Sequence, residues 1–386
     1  MKYKLGDICE IVSGSTPKTS IPEYWDGDKK WITPAEINEE SYIITDSARK
    51  LTELGVKKTG LSPFPEGTVI LSSRAPIGKV AIAGCEMYCN QGFKNLICSE
   101  KINNRYLYWF LKGNTEFLNS LGRGATFKEV SKQIVSNIEI NVPSIAQQEQ
   151  AAIQLETANA IIRFRKQQLQ KLDELVKARF VELFGDESNP YNFPIVTIED
   201  VASVQVGVVI KPAQYYTDAG HGIKTFRSLN IGPMHIKDTD WVYFSEEGNR
   251  KNQKSVLNEN DLVIVRSGAP GTACVITKEY AGCNAVDIII ARPDLDKVNP
   301  YYLCQYTNLP HGKKQIEEGT GGAAQQHFNV GKYNKIRLTL PPLDQQLKFE
   351  KFVEQTDKSK LAIQQSLDKL KTLRKSLMQE YYGQGE

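Results

Sequence analysis

The sequence lacks any long hydrophobic run. No stretch of about 18 consecutive apolar residues occurs in it, so no transmembrane helix is expected. The N-terminal residues, MKYKLGDICE, contain no apolar run after the two lysines, so we expect no secretory signal peptide either. The seven cysteines are an odd number in a chain of 386 residues, and we interpret them as reduced thiols. These absences predict a cytoplasmic protein with no membrane partner.

The usual signatures of catalytic sites are also scarce. The four histidines are distant in sequence from Cys85 and Cys89, so no zinc site is predicted. There is no G-x-x-x-x-G-K-[ST] phosphate loop, which argues against an ATPase. The segment closest to an adenine methyltransferase motif is Asn189-Pro190-Tyr191, which lacks the second proline and which we interpret as a linker turn. We therefore expect no catalytic site, no metal and no cofactor in this chain.

The chain also has little net charge. Its 48 Lys and Arg against 45 Asp and Glu give +3, which does not by itself indicate a nucleic-acid-binding protein. It does not exclude one, because a local basic face is sufficient for binding. A hydrophobic content of 40% excludes disorder of the whole chain, and the length predicts two domains.

An internal duplication is the most prominent feature that the sequence does have. The segment 5–14, LGDICEIVSG, resembles 198–207, IEDVASVQVG. PEGTVILSSRAP at 65–76 matches ENDLVIVRSGAP at 259–270, and Cys89-Asn90 matches Cys283-Asn284, all at an offset of 194. IEINVPSIAQQ at 138–148 matches IRLTLPPLDQQ at 336–346 at an offset of 198. Because the offset drifts so little, we conclude that the chain contains two copies of one unit.

Each copy combines a mixed segment with a long helical segment. Residues 1–143 and 186–341, called here the first and second heads, contain short β-branched runs separated by turn signals, with a few helices between them. Residues 144–185 and 342–386 are rich in Gln, Leu, Lys, Glu and Ala, which favour helix. We predict an α+β fold in which two α/β heads are separated by two long antiparallel coiled-coil helices, with pseudo-two-fold symmetry.

The helical segments carry a heptad pattern, and the two ladders lie 198 positions apart. Such a seam requires a partner helix, and the simplest partner is the other copy; a helix packed on its own head is the alternative. Polar residues interrupt both seams, among them Arg165, Arg179, Thr356, Lys360 and Arg374. The apolar residues that we predict to pair are Leu155, Ile162, Leu169, Leu172, Val176 and Leu183 in the first helix, and Val353, Ile363, Leu367, Leu370 and Leu377 in the second.

Two related heads on a helical frame suit a target with two half-sites a fixed distance apart, such as double-stranded DNA. The order LGD-I--I-SG, G--ILSSRAPIGK-AI, CNQGFK-L and I-I-VPSIAQQEQ, followed by a leucine-rich helix and repeated once, resembles the specificity (S) subunit of type I restriction–modification systems. The resemblance covers essentially the whole chain.

This resemblance implies two target-recognition domains that each read one half of a bipartite, asymmetric DNA site. It implies that the paired helices set the half-site spacing and dock two methyltransferase (M) subunits, with restriction (R) subunits joining through the complex. S-adenosylmethionine, ATP and magnesium are then expected on those partners and none of them on this chain. Two alternatives stay open: a coiled-coil scaffold or adaptor with duplicated protein-binding heads, and a self-contained methyltransferase or nuclease.

The candidate DNA-contacting residues follow from chemistry and position. Arg or Lys pairs with guanine and Asn or Gln with adenine, while Ser, Thr, Lys and Arg also contact phosphates. In the first head we select Thr33, Ser73, Arg74, Gln91, Phe93, Lys94, Arg123, Thr126 and Lys128. In the second head we select Arg227, Ser228, Asn230, Arg266, Ser267, Gln325, Gln326, His327 and Lys332.

Overall fold

A computed structural model describes residues 1–74, 76–124, 128–320 and 328–383. Contacts between residues divide the chain into two compact units. The first unit comprises residues 1–166 and the end of the chain from Gln365, and the second comprises residues 167–364. The division therefore passes through both long helices, and each unit contains one head together with a stretch of each helix.

The first head is built from short strands and helices, as predicted. Its strands are β1 (Lys2–Lys4), β2 (Cys9–Val12), β3 (Trp25–Ile32), β4 (Ile43–Ile44), β5 (Arg49–Leu51), β6 (Val69–Leu71), β7 (Val80–Ala83), β8 (Tyr88–Cys89), β9 (Asn95–Cys98) and β10 (Glu139–Asn141). Its helices are α1 (Leu5–Ile8), α2 (Glu53–Thr59), α3 (Asn104–Gly113), α4 (Thr115–Ser120) and α5 (Lys132–Ser136). One sheet has the order β2-β9-β6-β7-β4, a second has the order β5-β3-β8, and β1 pairs with β10.

A first long helix, α6 (Ile145–Phe184), connects to the second head. The strands of that head are β11 (Ile195–Thr197), β12 (Ala202–Val206), β13 (Tyr216–Thr217), β14 (Ile223–Phe226), β15 (Ile231–Gly232), β16 (His235–Ile236), β17 (Val242–Phe244), β18 (Leu262–Val265), β19 (Ala273–Val275), β20 (Asn284–Ala285), β21 (Ile288–Pro293) and β22 (Arg337–Thr339). Its helices are α7 (Ile198–Val201), α8 (Glu246–Lys251), α9 (Pro300–Asn308), α10 (Pro310–Thr320) and α11 (Val330–Asn334), and the second long helix, α12 (Leu343–Tyr382), follows.

The sheets confirm the duplication. The order β12-β21-β18-β19 repeats β2-β9-β6-β7, and the pair β11-β22 repeats β1-β10. The parallel pair of β3 and β8 is repeated by β14 and β20. Both copies thus place one parallel strand pair beside a mainly antiparallel sheet.

Hydrogen bonds correct part of the alignment that sequence identity suggests. Gly78 donates to the Ser72 carbonyl and Gly271 to the Val265 carbonyl, each over 3.0 Å, so these turns match at an offset of 193 and not 194. In the parallel pairs Ile32 lies opposite Cys89, and Phe226 lies opposite Ala285. Cys89 therefore corresponds to Ala285, and its match to Cys283 was a chance identity two residues out of register.

Helix α6 begins and ends within one residue of the predicted segment 144–185, whereas α12 begins one residue after the predicted start at 342 and ends at Tyr382, short of the predicted limit at 386. Ser144 and Gln147 form a capping box at the start of α6, since the Ser144 hydroxyl and main-chain N–H both donate to Gln147 Oε1, over 2.9 and 3.1 Å. Every position of both predicted seams is buried or half-buried. These positions are Leu155, Ala158, Ile162, Arg165, Leu169, Leu172, Val176, Arg179 and Leu183 in α6, and Val353, Thr356, Lys360, Ile363, Leu367, Leu370, Arg374, Leu377 and Tyr381 in α12.

In the first unit, the beginning of α6 lies antiparallel to the end of α12. The Tyr381 hydroxyl donates to Gln154 Oε1 over 2.5 Å, and the Arg374 guanidinium donates to Asn159 Oδ1 over 2.9 Å. Leu155 at the start of the seam belongs to the core of the first head, which Tyr382 of α12 also joins. The polar seam residue Arg374 is therefore matched to an amide, which fixes the helix register at the cost of some stability.

The second unit contains the complementary stretches, again antiparallel. Lys360 Nζ lies 2.8 Å from Asp173 Oδ1, and the rings of Phe180 and Phe349 meet edge to face with centroids 5.3 Å apart. Phe180, Phe349 and Val353 belong to the core of the second head. The antiparallel pairing of α6 with α12 is thus confirmed within each unit. The alternative, in which each helix packs only on its own head, is wrong.

One buried glutamine fastens each long helix to its head. Gln148 Oε1 accepts from the Asn103 main-chain N–H over 2.8 Å, and its amide donates to the carbonyls of Lys101 and Pro143 over 3.1 and 2.9 Å. Gln346 makes the same three contacts in the second copy, with Asn299 N–H over 2.8 Å and with the carbonyls of Lys297 and Pro341 over 3.4 and 2.7 Å. Both glutamine side chains are fully buried.

We predict that Gln148→Leu and Gln346→Leu each lower the free energy of unfolding by about 1–3 kcal/mol, because each leaves a buried N–H and two carbonyls without their side-chain partner. Urea unfolding of the full chain measures the loss. The matched control is Gln150→Leu, at an exposed position of the same helix turn, where we expect a change within about 0.5 kcal/mol. Equal effects at Gln148 and Gln150 would refute the anchoring role.

Candidate nucleic-acid interface

Three loops of the first head meet where its parallel strands end. Thr33 follows β3, Asn90 follows β8, and the Asn90 N–H donates to the Ile32 carbonyl over 3.2 Å. Ser15 joins them, since its N–H donates to the Cys89 carbonyl over 3.1 Å. A hairpin turn completes the group, because the Ser73 N–H donates to the Gly92 carbonyl over 2.8 Å. We call residues 14–16, 33–36, 73–74 and 90–92 the loop edge of the first head.

The second head has the same edge. The Val286 N–H donates to the Phe226 carbonyl over 2.8 Å, and the Val208 N–H donates to the Ala285 carbonyl over 2.8 Å. Residues 207–210, 227–230, 266–267 and 286–287 form the loop edge of the second head. In both heads the strand end leads into a short 3₁₀ turn, Pro34–Glu36 in the first and Ser228–Asn230 in the second.

Matched glycines allow the backbone segments of each edge to approach closely. A Cβ atom on Gly14 would lie 1.8 Å from the Cys89 carbonyl oxygen, and one on Gly207 would lie 2.5 Å from the Ala285 carbonyl oxygen. Neither position tolerates a side chain unless the backbone shifts. The glycine that ends each matched segment, Gly14 in LGDICEIVSG and Gly207 in IEDVASVQVG, is therefore required for the close approach of the backbone segments at the loop edge.

The first loop edge presents amide and guanidinium groups. The Gln91 side chain is exposed and its Oε1 accepts from the Thr16 hydroxyl over 2.5 Å. The Arg74 side chain is 45% exposed, and its Nε lies 3.0 Å from Glu129 Oε2. Partial burial alone would raise the pKa of Glu129, but hydrogen bonds and charge attraction from Lys94 and Arg74 lower it. Glu129 therefore stays ionised at neutral pH and orients Arg74.

The adjoining loop adds two further exposed cations. Arg123 and Lys128 are both exposed, and Arg123 pairs through its main chain with Glu129, over 3.0 and 2.9 Å. Thr33 is half-buried, and its N–H and hydroxyl both donate to Glu36 Oε1 over 2.8 and 2.9 Å. The segment that carries Glu129 therefore places Arg123 and Lys128 near Arg74. The Thr33 hydroxyl, in contrast, is bonded within its own turn.

The second loop edge combines two partly buried arginines, of which Arg266 has a side chain only 14% exposed, with exposed apolar side chains. Arg266 donates from Nε to the Phe328 carbonyl over 3.1 Å and from Nη1 to Asp287 Oδ1 over 2.5 Å. Arg227 and Ser228 are half-buried, and Arg227 Nη2 donates to the Asp240 carbonyl. The exposed apolar residues of this edge are Val209, Ile210 and Leu229, at 49, 80 and 59% exposure.

Several predicted contact residues have buried side chains and serve the head itself. Ser73, Phe93 and Asn230 are completely buried and Lys94 is 7% exposed. Lys94 Nζ lies 3.1 Å from Glu129 Oε1, and Asn230 Oδ1 accepts from the Arg227 N–H over 2.9 Å. These four side chains hold the loops in place and do not reach the surface, so we remove them from the DNA-contacting set.

Two of the six remaining predicted residues, Ser267 and Lys332, lie within the described residues. Ser267 is half-buried beside Arg266, and Lys332 is half-buried in α11, just beyond the Phe328 main chain that pairs with Arg266. Thr126, Gln325, Gln326 and His327 lie outside the described residues. Sequence reasoning missed Thr16, Glu129 and Asp287, as well as Val209 and Ile210. The matched glycines Gly14 and Gly207, each followed by a divergent segment, were the signal that could have found some of them.

The chemistry of the two edges differs, although their backbones match. Exposed arginine suits guanine and exposed glutamine suits adenine, while apolar side chains suit the methyl group of thymine. The first edge offers the exposed Gln91 and Arg74 in this role, and the second offers the half-buried Arg227 with the exposed Ile210 and Leu229. Two such edges are suited to two different base sequences.

The described residues show neither a metal-binding cluster nor a membrane-spanning helix. No group of three His, Cys, Asp or Glu side chains there is arranged to hold a metal ion. No helix within the described ranges combines the length and the apolar character that a membrane span requires.

Comparison with known proteins gives a consistent result. The model of the family described as "Type I restriction modification DNA specificity domain" matches this chain twice, over residues 1–174 and 175–372. The MjaIX type I restriction enzyme specificity subunit of Methanocaldococcus jannaschii is 28% identical, over 97% of this chain and 90% of its own. The EcoprrI type I specificity subunit of Escherichia coli is 21% identical, over 92% of this chain and 86% of its own.

Solved structures show the same fold. The S subunit of a type I restriction–modification system from M. genitalium covers the whole of this chain with a TM-score of 0.59 at 14% identity, and 96% of that chain is matched. A chain from a study of complex assembly and conformational transition in the type I system covers 99% of this chain, with 97% of its own length matched, a TM-score of 0.62 and 17% identity.

Proposed function

Because the chain belongs to the family of type I restriction–modification specificity subunits, we propose that each loop edge reads one half of a bipartite, asymmetric DNA sequence. The observation that supports this most directly is the pairing of equal backbone frames with unequal side chains. Gln91 and Arg74 lie on the first edge, and Arg227, Ile210 and Leu229 lie on the second. Equal frames allow both heads to approach the duplex in the same way, and unequal side chains select different bases.

The long helices supply a frame of defined length. A helix of 40 residues is about 60 Å long at 1.5 Å per residue. We propose that the pairing of α6 with α12 sets the gap between the half-sites, and that methyltransferase subunits dock on the helices and the adjoining head surfaces. Restriction subunits then join through the complex.

We further propose that this chain is not itself catalytic. On this account S-adenosylmethionine, ATP and magnesium bind to the partner subunits, and the chain only directs them to a sequence. The cytoplasm, where DNA is accessible, is then its place of action.

The test is substitution of the two edge arginines. We expect Arg74→Ala and Arg266→Ala each to weaken DNA binding by the chain in complex with its methyltransferase subunits by about 1–3 kcal/mol, which corresponds to roughly 5- to 150-fold. Band shifts with a duplex that contains the sequence methylated by the complex measure this loss of affinity. Arg266 also bonds to the Phe328 carbonyl and to Asp287. A second variant, Arg266→Lys, therefore keeps the positive charge but loses the paired hydrogen bonds that a guanidinium makes with guanine.

The matched control is Lys58→Ala, which removes an exposed cation from α2, outside the loop edge. It is expected to leave DNA affinity unchanged, and all variants should still assemble with methyltransferase subunits. If DNA binding survives both arginine substitutions while binding of another protein is lost, the scaffold or adaptor function replaces the one proposed here.

A further inference from the structure

A positively charged cleft lies within the first unit, outside the loop edge. It has a volume of about 620 Å³ and is formed by the turn at Pro76–Lys79, the end of α3, the start of α4 and one face of α6. Five basic side chains line it, against three acidic ones (Glu39, Glu40 and Glu116), which leaves a net charge of +2. The five cations are Lys79, Lys112, Arg163, Lys166 and Arg374.

The charges of these five side chains are not neutralised by ion pairs. Within the described ranges none of the five has a carboxylate oxygen within 4.0 Å, whereas many other lysines and arginines of the chain do. Lys79 and Lys112 donate instead to the main-chain carbonyls of Pro34 and Glu39, over 2.9 and 2.6 Å. Partial burial lowers the pKa of Lys112, the charge of Arg374 adds to this effect, and the charge of Glu39 opposes it only in part.

The cleft is continuous with the first loop edge. Lys79 bridges them, because its ammonium group in the cleft binds the carbonyl of Pro34, which follows the edge residue Thr33. Pro76 and Ile77 of the cleft belong to the same hairpin turn as Arg74. A strand of DNA whose bases contact Arg74 and Gln91 therefore has neighbouring phosphates within reach of this surface.

The second unit does not repeat the charges. Lys79 corresponds to Thr272 by the hydrogen bonds of the matched turns, and Lys112 corresponds to Asn308 by the matched caps of α3 and α9. At an offset of 198, the other three cations correspond to neutral residues as well: Arg163 to Leu361, Lys166 to Gln364, and Arg374 to Val176. All five cations are thus replaced by uncharged side chains, although Lys313 of the second unit does reach the matched turn.

We propose that this cleft binds the DNA sugar-phosphate backbone next to the half-site read by the first head, so that the two heads hold the duplex unequally. The proposal rests on the proposed DNA-reading function. Net positive charge without ion pairs, continuous with a base-reading edge, is complementary to phosphate. A protein partner that binds both copies of the repeat alike could not use this surface, because the second copy lacks it.

The test removes the two cations of the cleft that lie on α6, both of which are exposed. We expect the double variant Arg163→Gln with Lys166→Gln, in the complex with methyltransferase subunits, to bind a duplex that carries the recognised sequence about 10-fold more weakly near 0.1 M salt. It should also reduce the slope of log affinity against log salt concentration by about 2, since each phosphate contact contributes about 0.9. The methylated sequence should stay the same, because phosphate contacts carry no base information. The control is Lys369→Gln with Lys375→Gln, which removes two exposed lysines of α12 that do not line the cleft.

Ethylation interference locates the contacts. We expect the double variant to lose interference only at phosphates flanking the half-site that Arg74→Ala affects. An unchanged salt slope would overturn the proposal, as would weaker assembly with methyltransferase subunits at unchanged DNA affinity, which would indicate a protein occupant. If the unsubstituted complex shows no sequence preference for DNA, the proposed function fails together with this inference, and that result is recognisable before any cleft variant is made.

Discussion

Substituting Phe349 by alanine is expected to lower the free energy of unfolding by about 3–5 kcal/mol, because it removes a large buried ring and leaves a cavity. Phe349 is completely buried in the second unit. Its ring meets Phe180 and Phe184 of α6, with centroids 5.3 and 5.8 Å away, so it joins α12 to α6 as well as to the head. Chemical denaturation of the full chain, followed by tryptophan fluorescence and circular dichroism, measures the loss.

The control is Phe164→Ala, on α6. Phe164 is 57% exposed, and we expect its loss to change stability by no more than about 0.5 kcal/mol. The residue of the first unit that matches Phe349, 198 positions earlier, is Ala151, so the first unit has no aromatic ring at this position of the repeat. Similar losses for the two phenylalanines would mean that the helix pairing contributes little to stability.

Lengthening both long helices by one heptad should widen the gap of the recognised DNA sequence without altering either half. Seven residues add about 10 Å of helix, which corresponds to about three base pairs at 3.4 Å each. Suitable insertions are copies of residues 163–169 after Leu169 and of 364–370 after Leu370. They lie between the contact of Asn159 with Arg374 in the first unit and that of Asp173 with Lys360 in the second, so both contacts can be retained.

The insertion into only one helix is the control. It displaces the seam of that helix against its partner by two turns, and we expect lower stability and no new discrete gap. Mapping of methylated sites distinguishes the results. If the double insertion methylates the original sequence with an unchanged gap, the helices do not set the spacing.

The long helices could be predicted from sequence almost residue by residue. Their heptads consist of strong helix formers, and each seam position such as Leu155 or Leu367 is a local property of the sequence. The polar seam residues could be identified but not paired, because the partners Asn159 for Arg374 and Asp173 for Lys360 depend on the register of two distant segments.

The loop edges were predicted less well, for a physical reason. Sequence reasoning assigned Arg74 and Gln91 to loops of one head, and the hydrogen bond from the Ser73 N–H to the Gly92 carbonyl brings those loops together. That reasoning could not tell that Ser73, Phe93, Lys94 and Asn230 point inward, since short loops do not have the strict alternation of a strand. Chance identity also misled the alignment at Cys283, and only the hydrogen bonds of the parallel strand pair corrected it.

The measurement that tests the account most directly is the sequence methylated when this chain is expressed with its methyltransferase subunits in a host without other methylation. We predict one bipartite, asymmetric motif with a fixed gap. We also predict that Arg74→Ala relaxes only one half of the motif and that Arg266→Ala relaxes only the other. A single uninterrupted motif, or a motif in which either substitution alters both halves, would contradict the account.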